Sequence, residues 1–338
     1  MRRLIPVLIG LGGLVLAGAA LAASPLRVVT TIPDLGDLAR EVGGDEVEVS
    51  VLAKGPQDRH FVEPRPSYLR TLHDADMYVE IGMDLEVGWA PVLLRGARNP
   101  DILPGGRGYL AASQAIHPLE IPTGPVTRAL GDVHPYGNPH FLTDPLNGLR
   151  VAALIRDKLA ALRPGAKAGF DARYRDFARR LMERLVGPEL AAGRDPEELA
   201  AALEAGALGE APLGGWRGAT QPLRGMRAIE DHQAWIYFAR RFDLVLVGTL
   251  EPKPGIAPTT SHLAEVVEAV EAQHARVILA SPYFDPRAAR WVSERTGAQV
   301  ANLAHQVGAR EGTGDYLDAI DYNVRELLRA ASGGPAPS

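Results

Sequence analysis

Four side chains in this sequence carry donor atoms that suit a divalent transition metal: His60, His140, His232 and Asp285. His60 ends the stretch Gly55-Pro56-Gln57-Asp58-Arg59-His60, and His140 closes Gly137-Asn138-Pro139-His140. His232 stands in Glu230-Asp231-His232-Gln233-Ala234-Trp235, and Asp285 in Ser281-Pro282-Tyr283-Phe284-Asp285-Pro286. Three imidazoles and one carboxylate would fill a tetrahedral Zn²⁺ and leave no corner for a reacting water. Such a shell holds a metal rather than using it.

Each candidate sits where a short apolar run gives way to a helical pattern. Leu26–Thr30, Val47–Leu52 and Met77–Ile81 read as strands, with a helix from Pro33 to Gly43 and a short one opening at Pro66-Ser67. The same alternation returns later: strands at Met226–Ile229, Leu244–Thr249, Val277–Ala280 and Gln299–Leu303, with helices at Ala234–Arg241, His262–His274 (capped by Ser261) and Pro286–Arg295. Repeated βα units predict two similar α/β lobes, each a mostly parallel sheet flanked by helices, with the candidate residues at strand-to-helix junctions where open sheets present ligand loops.

Between the two series lies a helical stretch broken at Arg163-Pro164-Gly165. Beyond the break, Phe170, Tyr174, Phe177, Leu181 and Leu185 form an apolar stripe that predicts a connector helix of about 20 residues, roughly 30 Å long. Residues 23–147 then form the N-terminal lobe, 148–187 the connector and 188–331 the C-terminal lobe, with an insertion at 188–224 and a flexible tail at 332–338. Within the insertion Asp195 caps a helix to about Ala205, and Gly209–Gln221 reads as a loop placed either over the metal, against a delivery protein, or simply on the surface. Trp89 and Trp235, among apolar neighbours, read as core.

Residues 1–22 look like a cleavable export signal: Arg2 and Arg3, an apolar run from Leu4 to Leu21, and small residues at Ala20 and Ala22. A retained membrane anchor is the competing reading, since about 18 apolar residues just span a bilayer. The chain has no cysteine, hence no disulfide and no lipid-modified N-terminal thiol, and the periplasm is the expected compartment. Losing the signal removes two arginines and moves the formal charge from −5 to −7. That mildly acidic balance argues against nucleic acid or an anionic membrane surface as partner.

Taken together, these segments resemble the zinc and manganese receptors of bacterial ABC importers. The likeness runs from about Leu26 to Ala331, through Asp58-Arg59-His60-Phe61-Val62-Glu63-Pro64-Arg65-Pro66-Ser67, Gly82-Met83-Asp84-Leu85-Glu86, Gly137-Asn138-Pro139-His140, His232-Gln233-Ala234-Trp235 and Glu251-Pro252-Lys253-Pro254-Gly255. It implies two lobes joined by a long helix, a metal site in the cleft, and His60, His140, His232 and Asp285 as the ligands of a transported Zn²⁺. Where manganese receptors carry Glu or Asp at the third place this chain has His, which favours zinc. Some zinc receptors have three protein ligands and a water, and water takes the fourth corner if Asp285 does not. The implied partners are a permease with its cytoplasmic ATPase and a periplasmic metallochaperone, with the receptor itself a monomer.

A second tier surrounds these residues. Asp58, Glu63 and Glu230 are candidates to hold the outer nitrogen of a ligating imidazole, against plain surface solvation. His134, in the same Gly/Pro-rich passage as His117, is a candidate capture or alternate ligand, while His73, His262, His274 and His305 carry no metal motif. A zinc hydrolase would need an open coordination position and a general base. The sequence has no His-Glu-x-x-His and no nucleophile elbow, so enzymatic activity is not expected. A surface adhesin is disfavoured by the missing lipid-anchor cysteine.

Overall fold

The computed structural model describes residues 24–124, 131, 133–209 and 211–334; the expected export signal and the end of the tail lie outside them. Strand β1 (Leu26–Thr30) is buried on both faces apart from Arg27, as strands inside parallel sheets are. It pairs in parallel with β2 (Val47–Val51) on one side and β3 (Met77–Glu80) on the other, and β3 pairs with β4 (Tyr109–Ala111). The second sheet is built from β5 (Arg227–Glu230), β6 (Val245–Thr249), β7 (Val277–Ala280) and β8 (Gln299–Asn302). Its order, β6-β5-β7-β8, repeats the β2-β1-β3-β4 order of the first. No helix among the described residues is long and apolar enough to cross a membrane.

Prolines pre-set the first turn of many helices. In the first half these are α1 (Pro33–Gly43), α2 (Pro66–His73), α3 (Ala90–Ala97) and α4 (Pro145–Leu162). The connector α5 (Lys167–Val186) is 20 residues long and begins after the Arg163-Pro164-Gly165 break. Its predicted stripe is buried throughout, from Phe170 to Leu185, and each such side chain contributes about 1.5–3 kcal/mol. α5 packs against α1 and α4 on one side and against α6 (Pro188–Ala191), α7 (Pro196–Glu204) and α8 (Gly215–Thr220) on the other.

The 188–224 insertion therefore braces the connector rather than covering a cleft. Asp195 caps α7 as expected, accepting from the N–H groups of Glu197 and Glu198. The expected Gly209–Gln221 loop contains α8 instead, because Trp216 finds a buried seat and donates from Nε1 to Asp321 at 3.1 Å.

The second half continues with α9 (Ile236–Arg241), α10 (Thr260–Gln273), α11 (Pro286–Thr296) and α12 (Tyr316–Ala331). Thr259, not Ser261, caps α10 by accepting from the His262 N–H. β4, α3 and α12 complete the two lobes beyond the elements read from the sequence.

One continuous core runs from Val28 and Tyr78 through the connector to Val277 and Leu327, and a smaller one lies under α10 and α11. The halves are also tied by polar contacts. Gln306 donates from Nε2 to the carbonyls of Lys54 and Gly55 at 3.0 and 2.9 Å. Tyr316 N–H donates to Asp37 at 2.9 Å, and Gly55 packs directly on the Gly308 main chain, where a Cβ would overlap the carbonyl. Buried Asp144 caps α4 and is clamped by Arg241 at the end of α9, at 2.7 and 2.9 Å.

Gly148 in α4 lies flat against the Tyr316 ring, whose hydroxyl donates to the Leu142 carbonyl at 2.7 Å. Alanine gains about 1 kcal/mol of helix propensity over glycine, but its methyl would overlap that ring. Gly148→Ala is therefore expected to destabilise the protein by about 1–2 kcal/mol, overpacking outweighing propensity, and thermal unfolding should show a melting point lowered by several degrees.

Candidate metal centre

The Asp58-Arg59-His60 turn follows β2, and its local chemistry orients the ring. Asp58 accepts from the His60 N–H at 2.9 Å and from Nδ1 at 2.8 Å, which leaves Nε2 facing inward, buried and without a partner. His140 ends the Gly137-Asn138-Pro139-His140 turn, whose Gly137 has φ of 102°. Asn138 accepts from the His140 N–H at 2.9 Å. The His140 ring is 1% exposed and neither of its nitrogens has a hydrogen-bond partner.

His232 comes two residues after β5. Its Nδ1 bonds Glu251 Oε2 at 2.7 Å, both groups being buried. Asp231 accepts from the His232 N–H at 2.8 Å and from the Ser281 N–H, joining this turn to the one after β7. Glu230, expected beside an imidazole, accepts instead from the N–H groups of Ala234 and Trp235 at 3.2 and 2.9 Å. That capping delays the helix, so α9 starts at Ile236 and not at Ala234.

The three rings form a near-regular triangle, with centroids 5.1 Å apart for His60 and His140, 5.3 Å for His60 and His232, and 5.4 Å for His140 and His232. One nitrogen from each lies within 4.8 Å of the other two. Tetrahedral zinc with nitrogen at ~2.0–2.1 Å requires donors about 3.3–3.4 Å apart, so a small inward movement of the rings closes the shell. His134 stacks on His60 at 5.5 Å, its Nε2 buried and without a partner. A cavity of about 40 Å³ opens at the cluster, lined among others by His134, His232, Asn138 and Glu120.

Asp285 stands outside the triangle. Having Pro286 after it, it takes the N-cap of α11, accepts from the Arg287 N–H at 2.9 Å and pairs with the Arg287 guanidinium at 2.7 Å, half-exposed. Its neighbour Phe284 reaches the centre, 5.6 Å from the His232 ring. Glu63 is exposed. Sequence reasoning missed Glu251 as the partner of His232 and Glu120 at the cavity; the quoted Glu251-Pro252-Lys253-Pro254-Gly255 motif was the available signal for the first.

Burial disfavours the charged form of several of these rings. It pushes His140 below the ordinary imidazole range and His60 likewise, against the opposing pull of the Asp58 hydrogen bond, and His134 down to about 3. His305, which donates from Nε2 to the Gln57 carbonyl at 3.1 Å, is likewise held at about 3 by burial and then by Arg59. Glu86 after β3 is pushed up to about 8 by burial while accepting from Thr31 Oγ1 and the Ile81 N–H at 2.7 and 2.8 Å. At His60 and His140 burial thus disfavours a proton on the ring nitrogens, which suits them to a cation that forms bonds to nitrogen.

Comparison with known proteins places the chain in a family. The family described as zinc-uptake complex component A, periplasmic (ZnuA), matches residues 28–184 and 217–330, which omits most of the insertion. The high-affinity zinc uptake system protein ZnuA of Yersinia pestis is 24% identical over 331 residues, covering 91% of each chain. The manganese ABC transporter substrate-binding lipoprotein PsaA of Streptococcus anginosus is 24% identical over 165 residues, 48% of this chain and 50% of its own. Among solved structures, a crystal structure of ZnuA has a TM-score of 0.68 at 24% identity, covering 91% of this chain and 99% of that one. A cadmium-bound periplasmic metal binding protein from Candidatus Liberibacter asiaticus gives 0.66 at 15% identity, covering 90% and 98%.

The depressed histidines leave a mark on stability. An unfolded imidazole takes a proton near pH 6.5, whereas folded His305 resists one to about 3. Its contribution is therefore complete above 6.5 and is lost as pH falls, by up to ~1.4 kcal/mol per unit. His305→Gln removes that slope. Urea midpoints of the metal-free proteins should show the variant gaining roughly 1.6 kcal/mol on the wild type between pH 6.5 and 5; a constant difference contradicts the assignment.

Proposed function

We propose that this chain, which belongs to the ZnuA family of zinc-uptake components, captures one Zn²⁺ between His60, His140 and His232 and delivers it to an importer. Family membership makes it a metal-binding receptor of an ABC importer and not an enzyme. The observation that carries the reading is the convergence of three buried imidazoles from both lobes, with one nitrogen of each within 4.8 Å of the other two.

Zinc is favoured over manganese by the donor set. The cluster offers nitrogen alone, and manganese prefers oxygen. The two carboxylates nearest the ligands, Asp58 and Glu251, are occupied in fixing the outer nitrogens of His60 and His232, a role that sets ring orientation and raises donor strength. The fourth position falls to water, with Asp285 engaged by Arg287; His134 stands next to it as a capture ligand at the cavity. The permease and its ATPase are the intended recipients. The exposed Phe61 and Tyr136, at 66% and 62%, lie on the ligand-bearing loops and suit a contact with them. Residues 1–22 serve as the export signal to the periplasm, where the receptor works as a monomer and receives metal from solution or from a metallochaperone.

Chelator-competition titration of the mature protein tests this. Zinc should bind one to one, each of His60→Ala, His140→Ala and His232→Ala should weaken it by at least about a hundredfold, and Glu251→Gln by about 10–100-fold. Full affinity in all three alanine variants would remove the site. Manganese that displaces zinc at equal concentration would transfer the reading to a manganese receptor.

A further inference from the structure

The second sheet repeats the order of the first, but at its amino-terminal edge the repeat reverses charge. In the first half, Arg27 of β1 faces Asp74, the C-cap of α2, at 3.8 Å and Asp76, which leads into β3, at 3.7 Å. The Asp76 N–H donates to the Arg27 carbonyl at 2.8 Å. In the second half the same main-chain bond joins Arg276, which leads into β7, to the carbonyl of Arg227 in β5, at 3.0 Å. The C-cap place that Asp74 takes after α2 is taken after α10 by His274. Pairing register agrees, since Val28 pairs with Met77 as Ala228 pairs with Val277. Where one half sets two acids around an arginine, the other sets an imidazole and a second arginine.

These three residues line a cavity of about 440 Å³ together with Arg224, Met226 and Val245, and no Asp or Glu lines it. Among the described residues, none of the three guanidinium groups has a carboxylate within ion-pair distance. Asp243, whose carbonyl accepts from the Gly225 N–H, gives its carboxylate to Arg217 at 2.8 Å. Arg227 donates to the Gln273 carbonyl at 3.0 Å and Arg276 to the Ala331 carbonyl at 2.7 Å, at the last residues of α10 and α12. The Arg224 side chain donates to no described residue. Each helix end supplies about half a negative charge, so the two leave the three arginines with an excess of about +2. Like charges on neighbouring strands are unfavourable, and the planar fork of arginine matches the oxygens of a phosphate.

We infer that this cavity is a phosphate site: Arg224, Arg227 and Arg276 bind a phosphate dianion at the end of the second sheet opposite His232, where the first half supplies carboxylates of its own. The ligand is a phosphate group, carried either by the free ion or by a lipid headgroup. The inference stands apart from the zinc-receptor reading and does not depend on it.

The test titrates inorganic phosphate by calorimetry into the metal-free chain lacking residues 1–22, at constant ionic strength with chloride as the balancing anion. Phosphate should bind one to one. Arg276→Asp, which rebuilds the pairing of the first half, should weaken it by about tenfold or more. Arg224→Gln, a change to an exposed side chain that makes no other bond, should weaken it as well and serves alone should Arg276→Asp fail to fold. Phosphatidylglycerol vesicles, set against phosphatidylcholine vesicles, separate the two sources. Retention that free phosphate competes away and Arg276→Asp abolishes assigns the site to a lipid headgroup, whereas phosphate binding without retention assigns it to the soluble ion. No binding at about 10 mM phosphate, binding that chloride matches, or binding that both substitutions leave unchanged overturns the inference.

Discussion

Asn138 is the point at which the two halves of the molecule become one binding site. Its Oδ1 accepts from the His140 N–H, and its Nδ2 donates across the cleft to the Gln233 carbonyl at 2.7 Å. Tyr237 of α9 closes the arrangement by donating to the Asn138 carbonyl at 3.0 Å and accepting from the Leu119 N–H at 2.9 Å. The His140 turn and the His232 turn are thus one hydrogen-bonded unit, with the Asp144–Arg241 ion pair beneath it. Preorganisation of this kind removes much of the ordering entropy that a ligand would otherwise have to offset. His60 joins from the other side through a turn held locally by Asp58.

Repetition of sheet order explains why the ligands meet. In each half the chain leaves the sheet from a central strand, visits one edge and returns to the other side, and the loops at the carboxyl ends gather at that crossing. Facing two such ends across one continuous core brings loops distant in sequence into contact, and the connector α5, braced by the insertion, fixes how far apart the halves stand.

What could be read from the sequence follows the range of the interactions. Apolar runs such as β1 and β7 and the stripe of α5 were legible because burial on a periodic element repeats within a few residues. Asp58 was legible beside His60 because the two are only two positions apart. Glu251 was not, since it reaches His232 from the end of β6, 19 residues on, and pairing across strands leaves no local pattern. Asp285 shows the opposite case: an Asp before Pro suits a helix N-cap on its own merits, and in the structure that local preference holds the carboxylate on α11 against Arg287. The three-residue β4 is too short for any period, and the inward turn of Glu230 depended on backbone groups that sequence does not display.

The contact between Gly55 and Gly308 brings main chain against main chain, next to the loop that ends in His60. With no side chain between them there is nothing compressible there, so the halves already stand as near as main chain allows at this spot. A residue bearing even one methyl group at Gly55 would therefore serve as a wedge between the halves, from a position that touches none of the three imidazoles.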